Sequence, residues 1–209
     1  MEINDGLLDS LCSGSTESYD ALMDIFVFHS DELDNKKHIV EELNIRANNG
    51  NAIAQAFLSA LYLNGFGVKP DLSKALSLAR RSAGLGEPSG EVRLGIMYLY
   101  GYGISADASR AQYWFQMARD KDYAPAYNFL GYMYERGIGI KADPKMAVIN
   151  YTKSAEMKNA YGIYNLGCCY EVGFGVTQNL NEAVRLYTLA APNVPRAKKA
   201  LEVLKTKNR

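Results

Sequence analysis

One spacing limits what this chain can become more than any other feature. Gly65, Gly101, Gly137 and Gly173 stand 36 residues apart at every step, and Gly67, Gly103, Gly139 and Gly175 keep the same step two residues later. Leu58, Leu94, Leu130 and Leu166 follow it, as do Tyr62, Tyr98, Tyr134 and Tyr170, and Ala75, Ala111, Ala147 and Ala183. So many positions sharing one period over four copies mark a tandem array of one supersecondary unit. A unit of that size cannot bury its apolar face alone, so neighbouring copies must stack to form a core.

Each copy reads as two helices. In the third copy Leu130, Met133 and Tyr134 fall at the three- and four-residue spacing of one apolar helical face. The Gly-x-Gly after that face is expected to end the helix, because glycine enters the left-handed conformation at a helix C-terminus without strain. Asp71, Asp107, Asp143 and Asn179 then stand where a second helix needs its N-cap. Pro144 suits a first helical position, and Glu182 is placed to complete a capping box with Asn179. Ser59, Gly95, Gly131 and Gly167 follow the repeated leucine directly. A glycine inside a helix costs about 1 kcal/mol against alanine, so its recurrence predicts a close approach by the paired helix. That second helix carries Ala75, Ala79 and Ala83, then Ala111, Phe115 and Arg119, Ala147, Tyr151 and Ala155, and Ala183, Tyr187 and Ala191. Small residues and rings on one face allow a ring from one helix to fill space beside a small residue of the next.

The ends depart from the pattern. Residues 1–16 read as a loose or short-helical N-terminus, with Leu7, Leu8 and Leu11 able to line one helical face. Residues 17–50 read as a degenerate capping hairpin, because Leu22, Phe26, Leu43 and Ala47 occupy the packing register 36 residues upstream of the first full copy. Its glycine pair is replaced by His29 and Asp31 within a polar linker, Ser30 to Asn35. The full copies are taken as 51–86, 87–122, 123–158 and 159–194. Residues 195–209 form a C-terminal capping helix with Ala197, Ala200, Leu201 and Leu204 inward.

Formal charge balances at zero, with 23 basic and 23 acidic residues, so the basic surplus of a dedicated nucleic-acid binder is missing. No apolar run is long enough to span a bilayer, and no secretory leader is visible, so a cytoplasmic protein without membrane insertion is expected. The charge is uneven: residues 1–35 hold nine acids and no lysine or arginine, while residues 193–209 hold six bases and one acid. Solvated ends account for this, and head-to-tail association of a mostly monomeric protein is the alternative.

Catalytic chemistry has little to work with. Only His29 and His38 are present; His29 lies in the degenerate loop and His38 begins a helix, so both read as exposed and structural. Cys12, Cys168 and Cys169 are an odd count that makes no disulfide framework, and Cys169 takes the place held by Met97 and Met133, which predicts a buried thiol. The glycine pairs follow helices, whereas a dinucleotide-binding fingerprint follows a strand. No cofactor, no metal site and no enzymatic activity are expected.

The phrase Ala126, Leu130, Gly131, Tyr134, Gly137, Gly139, Asp143, Ala147, Tyr151, Ala155 resembles the Sel-one-like repeat, a branch of the tetratricopeptide-like superfamily. The resemblance covers residues 51 to 194, with Ser59 in place of a glycine and Arg119 and Asp120 in place of small residues. It implies an all-α fold, a right-handed α/α solenoid of stacked helical hairpins, whose first helices line a concave groove. On that register Ile53, Ala56, Ala60, Leu63 and Asn64, then Val92, Ile96, Leu99 and Tyr100, face the groove. So do Asn128, Tyr132, Glu135 and Arg136, then Tyr161, Tyr164, Cys168, Glu171 and Val172. Tyr100, Asn128, Tyr132, Glu135, Arg136, Tyr161, Tyr164 and Glu171 are the candidate partner-binding residues, since tyrosine and arginine anchor interfaces most often. The expected function is a non-catalytic adaptor or scaffold gripping a protein or peptide. The alternatives are an immunity protein that neutralises a bacterial toxin, which the family resemblance suggests, and a regulatory subunit acting by assembly.

Overall fold

Glycine caps and polar N-caps divide the chain into hairpins of near-constant length. The computed structural model describes residues 5–14 and 33–207. Among the described residues it holds eleven α-helices and no strand: α1 (Asp5–Cys12), α2 (Leu33–Asn48), α3 (Ala52–Asn64), α4 (Leu72–Gly84), α5 (Pro88–Tyr100), α6 (Ala108–Arg119), α7 (Ala124–Arg136), α8 (Pro144–Glu156), α9 (Ala160–Val172), α10 (Leu180–Ala190) and α11 (Pro195–Lys207). The fold is all-α, built of consecutive α/α hairpins. The chain divides into two compact units, Met1–Trp114 and Phe115–Arg209.

The punctuation has a common physical form. Gly65, Gly101, Gly137 and Gly173 end α3, α5, α7 and α9 with φ of 73°, 73°, 64° and 75°, and each donates its N–H to a carbonyl one turn back. A side chain at those angles is strained, so the first glycine of each pair is fixed by backbone geometry. After the loop, Asp71, Asp107, Asp143 and Asn179 cap α4, α6, α8 and α10, accepting from Lys74, Arg110, Met146 and Glu182 N–H groups at 2.9, 2.9, 3.0 and 3.1 Å. Each cap residue also donates its own N–H to the repeated tyrosine: Asp71 to the Tyr62 carbonyl, Asp107 to Tyr98, Asp143 to Tyr134 and Asn179 to Tyr170, at 2.8–3.0 Å. That bond ties the start of the second helix to the end of the first. It also corrects the expected capping box. The Asn179 N–H that Glu182 would have accepted is already spent on Tyr170, and the Glu182 carboxylate accepts from Arg185 instead, at 2.6 and 2.9 Å.

In the first unit α3 packs against α1, α2, α4 and α5, and α4 packs against α5. The core joins Leu8 and Leu11 of α1, Ile39, Leu43 and Ala47 of α2, Phe57, Leu58 and Leu61 of α3, and Leu78 of α4. Leu43 and Ala47 are fully buried, as the 36-residue register predicts, and α1 is helical with Leu8 and Leu11 inward. α2 begins at Leu33, so the end of the expected linker is helical. The expected first helix of the capping hairpin, with Leu22, Phe26, His29 and Asp31, lies outside the described residues.

In the second unit α7 pairs with α8, α9 with α10, and α8 packs on α9. Rings dominate this core. Phe115 stacks on Phe129 with centroids 4.9 Å apart and planes 6° from parallel. α11 closes on α10 through Ala197 and Leu204, with Ala200 and Leu201 partly buried, which is the inward face expected of it. Buried serines tie a second helix back to the start of its partner. Ser154 Oγ donates to the Ala124 carbonyl at 2.9 Å, as Ser82 Oγ does to Ala52 at 2.7 Å in the first unit.

Candidate functional site

The predicted close approach is met by rings. A Cβ on Gly131 would lie 2.7 Å from Cδ1 and Cε1 of Tyr151, and a Cβ on Gly167 would lie 2.8 Å from Cε1 of Tyr187. Separations under 3 Å are shorter than real Cβ contacts, so glycine is there to admit the ring. The rings pass the glycines and reach one turn further along the same face of the first helix. The Tyr151 hydroxyl donates to Glu135 Oε2 at 2.7 Å, and the Tyr187 hydroxyl donates to Glu171 Oε2 at 2.6 Å. A buried phenol without an acceptor costs about 1–3 kcal/mol, so each ring requires the carboxylate one turn past its glycine.

The other two copies carry different residues at these three positions. In the first copy the three positions are Ser59, Ala79 and Leu63. No ring is present there, the serine is tolerated, and Ser59 Oγ donates to the Ala75 carbonyl at 2.8 Å. In the second copy they are Gly95, Phe115 and Leu99. A ring without a hydroxyl asks for no acceptor, and leucine takes the place of glutamate.

Glu135 and Glu171, expected to meet a partner, each accept from a core phenol, and the Glu135 side chain keeps 29% of its surface. Glu135 is also 3.3 Å from Arg136 Nε through its other oxygen. Asn128, also expected to meet a partner, is buried. It is 8% exposed, and its Oδ1 accepts from Asn165 Nδ2 of α9 at 2.8 Å, so it joins two helices of the second unit. Ala56, Ala60 and Val92 are likewise buried, because the first helices pack side by side along the stripe expected to be open. The signal that would have separated the glutamates from the surface residues was in the sequence: glutamate stands there only where the second helix carries tyrosine.

The remaining candidates keep accessible surface. On α7 the Arg136 guanidinium lies over the Tyr132 ring, 5.9 Å from its centroid, and the Arg136 side chain is 61% exposed. On α9 Tyr161 is 58% exposed, while half-buried Tyr164 tilts against Tyr187 with centroids 5.6 Å apart. Tyr100 belongs to the first unit, is 46% exposed, and packs against Tyr102 at 5.6 Å.

Burial holds Tyr151, Tyr164, Tyr187, Cys168 and Cys169 of the second unit in their neutral forms. Burial, then the bond to Glu135, push the Tyr151 phenol far above the ordinary tyrosine range, and burial with the Cys168 and Glu171 bonds does the same to Tyr187. Burial and its hydrogen bond with Cys168 push Tyr164 up to about 12. Cys169 is buried, as its register predicts, and is pushed up to about 12 by burial and the Glu135 charge. Cys168 is raised by burial, against hydrogen bonds from Tyr187 and Tyr164 that pull it down. A thiol that stays protonated is a poor nucleophile and a poor ligand. His38 is exposed on α2, and His29 lies outside the described residues. Among the described residues no group of three or more His, Cys, Asp or Glu is placed to hold a metal ion, and no helix is long and apolar enough to cross a membrane.

Tandem α/α hairpins, locked by a glycine-to-ring contact and closed by glycine caps, define a helical repeat protein. The chain belongs to the Sel1 repeat family, whose model matches residues 52–87, 88–123, 124–159 and 160–191. It is similar to a Sel1 repeat protein from Oxalobacter formigenes, at 28% identity with a TM-score of 0.63, over 78% of this chain and 73% of that one. It is also similar to a protective antigen of uropathogenic Escherichia coli that displays an SLR fold, at 27% identity with a TM-score of 0.60. That match covers 94% of this chain but 42% of the antigen, so the chain spans under half the antigen's length. A Sel1 repeat protein from Klebsiella pneumoniae shares the fold at 20% identity, with a TM-score of 0.61 over 98% of this chain and 100% of that one. No curated protein is significantly similar to the chain. Sel1 repeat proteins are generally non-catalytic protein-interaction scaffolds.

Proposed function

We propose that this protein is a non-catalytic adaptor that holds a protein or peptide segment on the outward face of its first helices, with Tyr132, Arg136, Tyr161 and Tyr164 as anchors. The observation that carries the reading is a contrast within the repeat. The packing positions Leu58, Leu94, Leu130 and Leu166, and Ala75, Ala111, Ala147 and Ala183, keep one residue type at every step, whereas the exposed position that ends the first helix reads Asn64, Tyr100, Arg136 and Val172. Arg136 is preorganised by the Tyr132 ring beneath it and the Glu135 carboxylate beside it, so little side-chain entropy is lost when a partner engages it. Exposed tyrosine and arginine on rigid helices are the groups that dominate interface energy. Three unpaired thiols suit a reducing compartment, and we place the protein in the cytoplasm.

The test is affinity capture from native lysate with the full chain and with Tyr132→Ala/Arg136→Ala, after circular dichroism has matched the two folds. Loss of a discrete partner in the double variant supports the assignment. Retention of every partner at wild-type recovery would remove this face from the binding reading.

A further inference from the structure

The helix that closes the second unit carries a surface the adaptor reading does not use. The inward side of α11 is spent on α10 through Val194, Ala197 and Leu204. Its outward side exposes Arg196, Lys198 and Lys199, and beside them Val203, which is 42% exposed. Glu202 is the one acid from 193 to 209. Arg196, Lys199 and Val203 fall at the three- and four-residue spacing of one helical stripe, so these two cations and the apolar side chain face the same way, with Lys198 and the exposed Glu202 on the adjoining side.

The chain also contains the complement of that stripe. Residues 1–35 hold nine acids and no lysine or arginine. Within the stretch 15–32, which lies outside the described residues, stand the acids Glu17, Asp20, Asp24, Asp31 and Glu32. These acids match the exposed cations of α11 in charge. We infer that the outward face of α11 binds the acidic stretch 15–32 of a second copy of this chain.

The consequence is an interface of a particular kind. It joins two different patches, one from each copy, so it is heterologous, and every chain that donates its acidic stretch keeps a vacant α11 face. Association then continues beyond two copies. Three exposed cations on a helix surface are screened by salt, so the association is weak and ionic-strength dependent.

Sedimentation velocity on the full chain tests this. At about 0.01 M salt, where the Debye length is about 30 Å, the weight-average mass rises with concentration above the 23.1 kDa monomer. At about 1 M salt, where it is about 3 Å, the mass returns to the monomer value. Lys198→Glu/Lys199→Glu removes the acceptor face, and Asp20→Lys/Asp24→Lys removes the donor. Each variant alone is expected to weaken self-association by about tenfold or more, since like charges brought together across an interface are strongly unfavourable. Mixed in equal amounts, the two reversed surfaces meet and oppositely charged pairs form again. Salt-sensitive association then returns in the mixture. Far-ultraviolet circular dichroism establishes that both variants fold. A monomer at every concentration in low salt overturns the inference, as does association that salt leaves unchanged. So does a Lys198→Glu/Lys199→Glu variant that assembles like the wild type, or a mixture that stays monomeric.

Discussion

Replacing Gly131 by alanine tests the packing rule at its tightest point. The added Cβ would sit 2.7 Å from two ring carbons of Tyr151 and 3.2 Å from the Ala147 carbonyl. Tyr151 is fully buried and its hydroxyl is held by Glu135, so the ring has no room to swing aside. Forcing a methyl into such a core costs about 1–3 kcal/mol, and about 2 is a fair central figure. Alanine recovers about 1 kcal/mol of helix propensity over glycine. Gly131→Ala should therefore destabilise by about 1 kcal/mol in the wild type, although it improves the isolated helix. Removing the ring reverses the sign. Tyr151→Ala alone should cost about 3–5 kcal/mol. In that background Gly131→Ala keeps only the 3.2 Å approach to the Ala147 carbonyl and should stabilise by up to about 1 kcal/mol, giving a coupling of about 2 kcal/mol between the two sites. Urea unfolding of the four proteins, followed by circular dichroism with the slope checked for constancy, measures the cycle. A Gly131→Ala protein as stable as the wild type, or a coupling near zero, would refute the claim that the glycine exists to admit the ring.

Three further outcomes follow from the same geometry. Glu135→Leu leaves the Tyr151 phenol without its acceptor and should cost about 1–3 kcal/mol. Adding Tyr151→Phe should recover most of that loss in a thermal melt, because Leu99 and Phe115 already form this combination in the second copy. Asp143→Ala should lower stability by about 1 kcal/mol through loss of the α8 N-cap, and Asp143→Asn should lose much less. The raised phenols give a pH dependence with a definite sign. Their folded pKa values lie above the unfolded one, so their contribution is complete below pH 10 and is lost as pH rises through the folded values, with Tyr164 at about 12. Spectrophotometric titration of phenolate should show a class that appears only as the protein unfolds.

The periodic residues made much of the fold legible. The 36-residue step located hairpins, glycine caps and N-caps because each depends on backbone geometry that few residue types satisfy. The register alone placed Leu43, Ala47 and Cys169 in the core. The site was less legible, because a helix position points somewhere only once its neighbours are placed. Asn128 and Glu135 have the polarity of surface residues, and both are consumed by partners 37 and 16 residues away. Glu182 fits a capping motif whose donor, the Asn179 N–H, was already committed to Tyr170. Covariation among the copies, glutamate with tyrosine and leucine with phenylalanine, carried the missing information about Glu135 and Glu171.

The account divides the surface into first helices that meet a partner and second helices that serve the stack. Photo-crosslinking tests that division directly. A photoreactive phenylalanine analogue is placed at Tyr132 or Tyr161 on the first helices, and at the exposed Ile149 or Leu189 on α8 and α10. The account predicts a discrete protein adduct from Tyr132 and Tyr161 and none from Ile149 or Leu189. Adducts confined to Ile149 and Leu189 would contradict it.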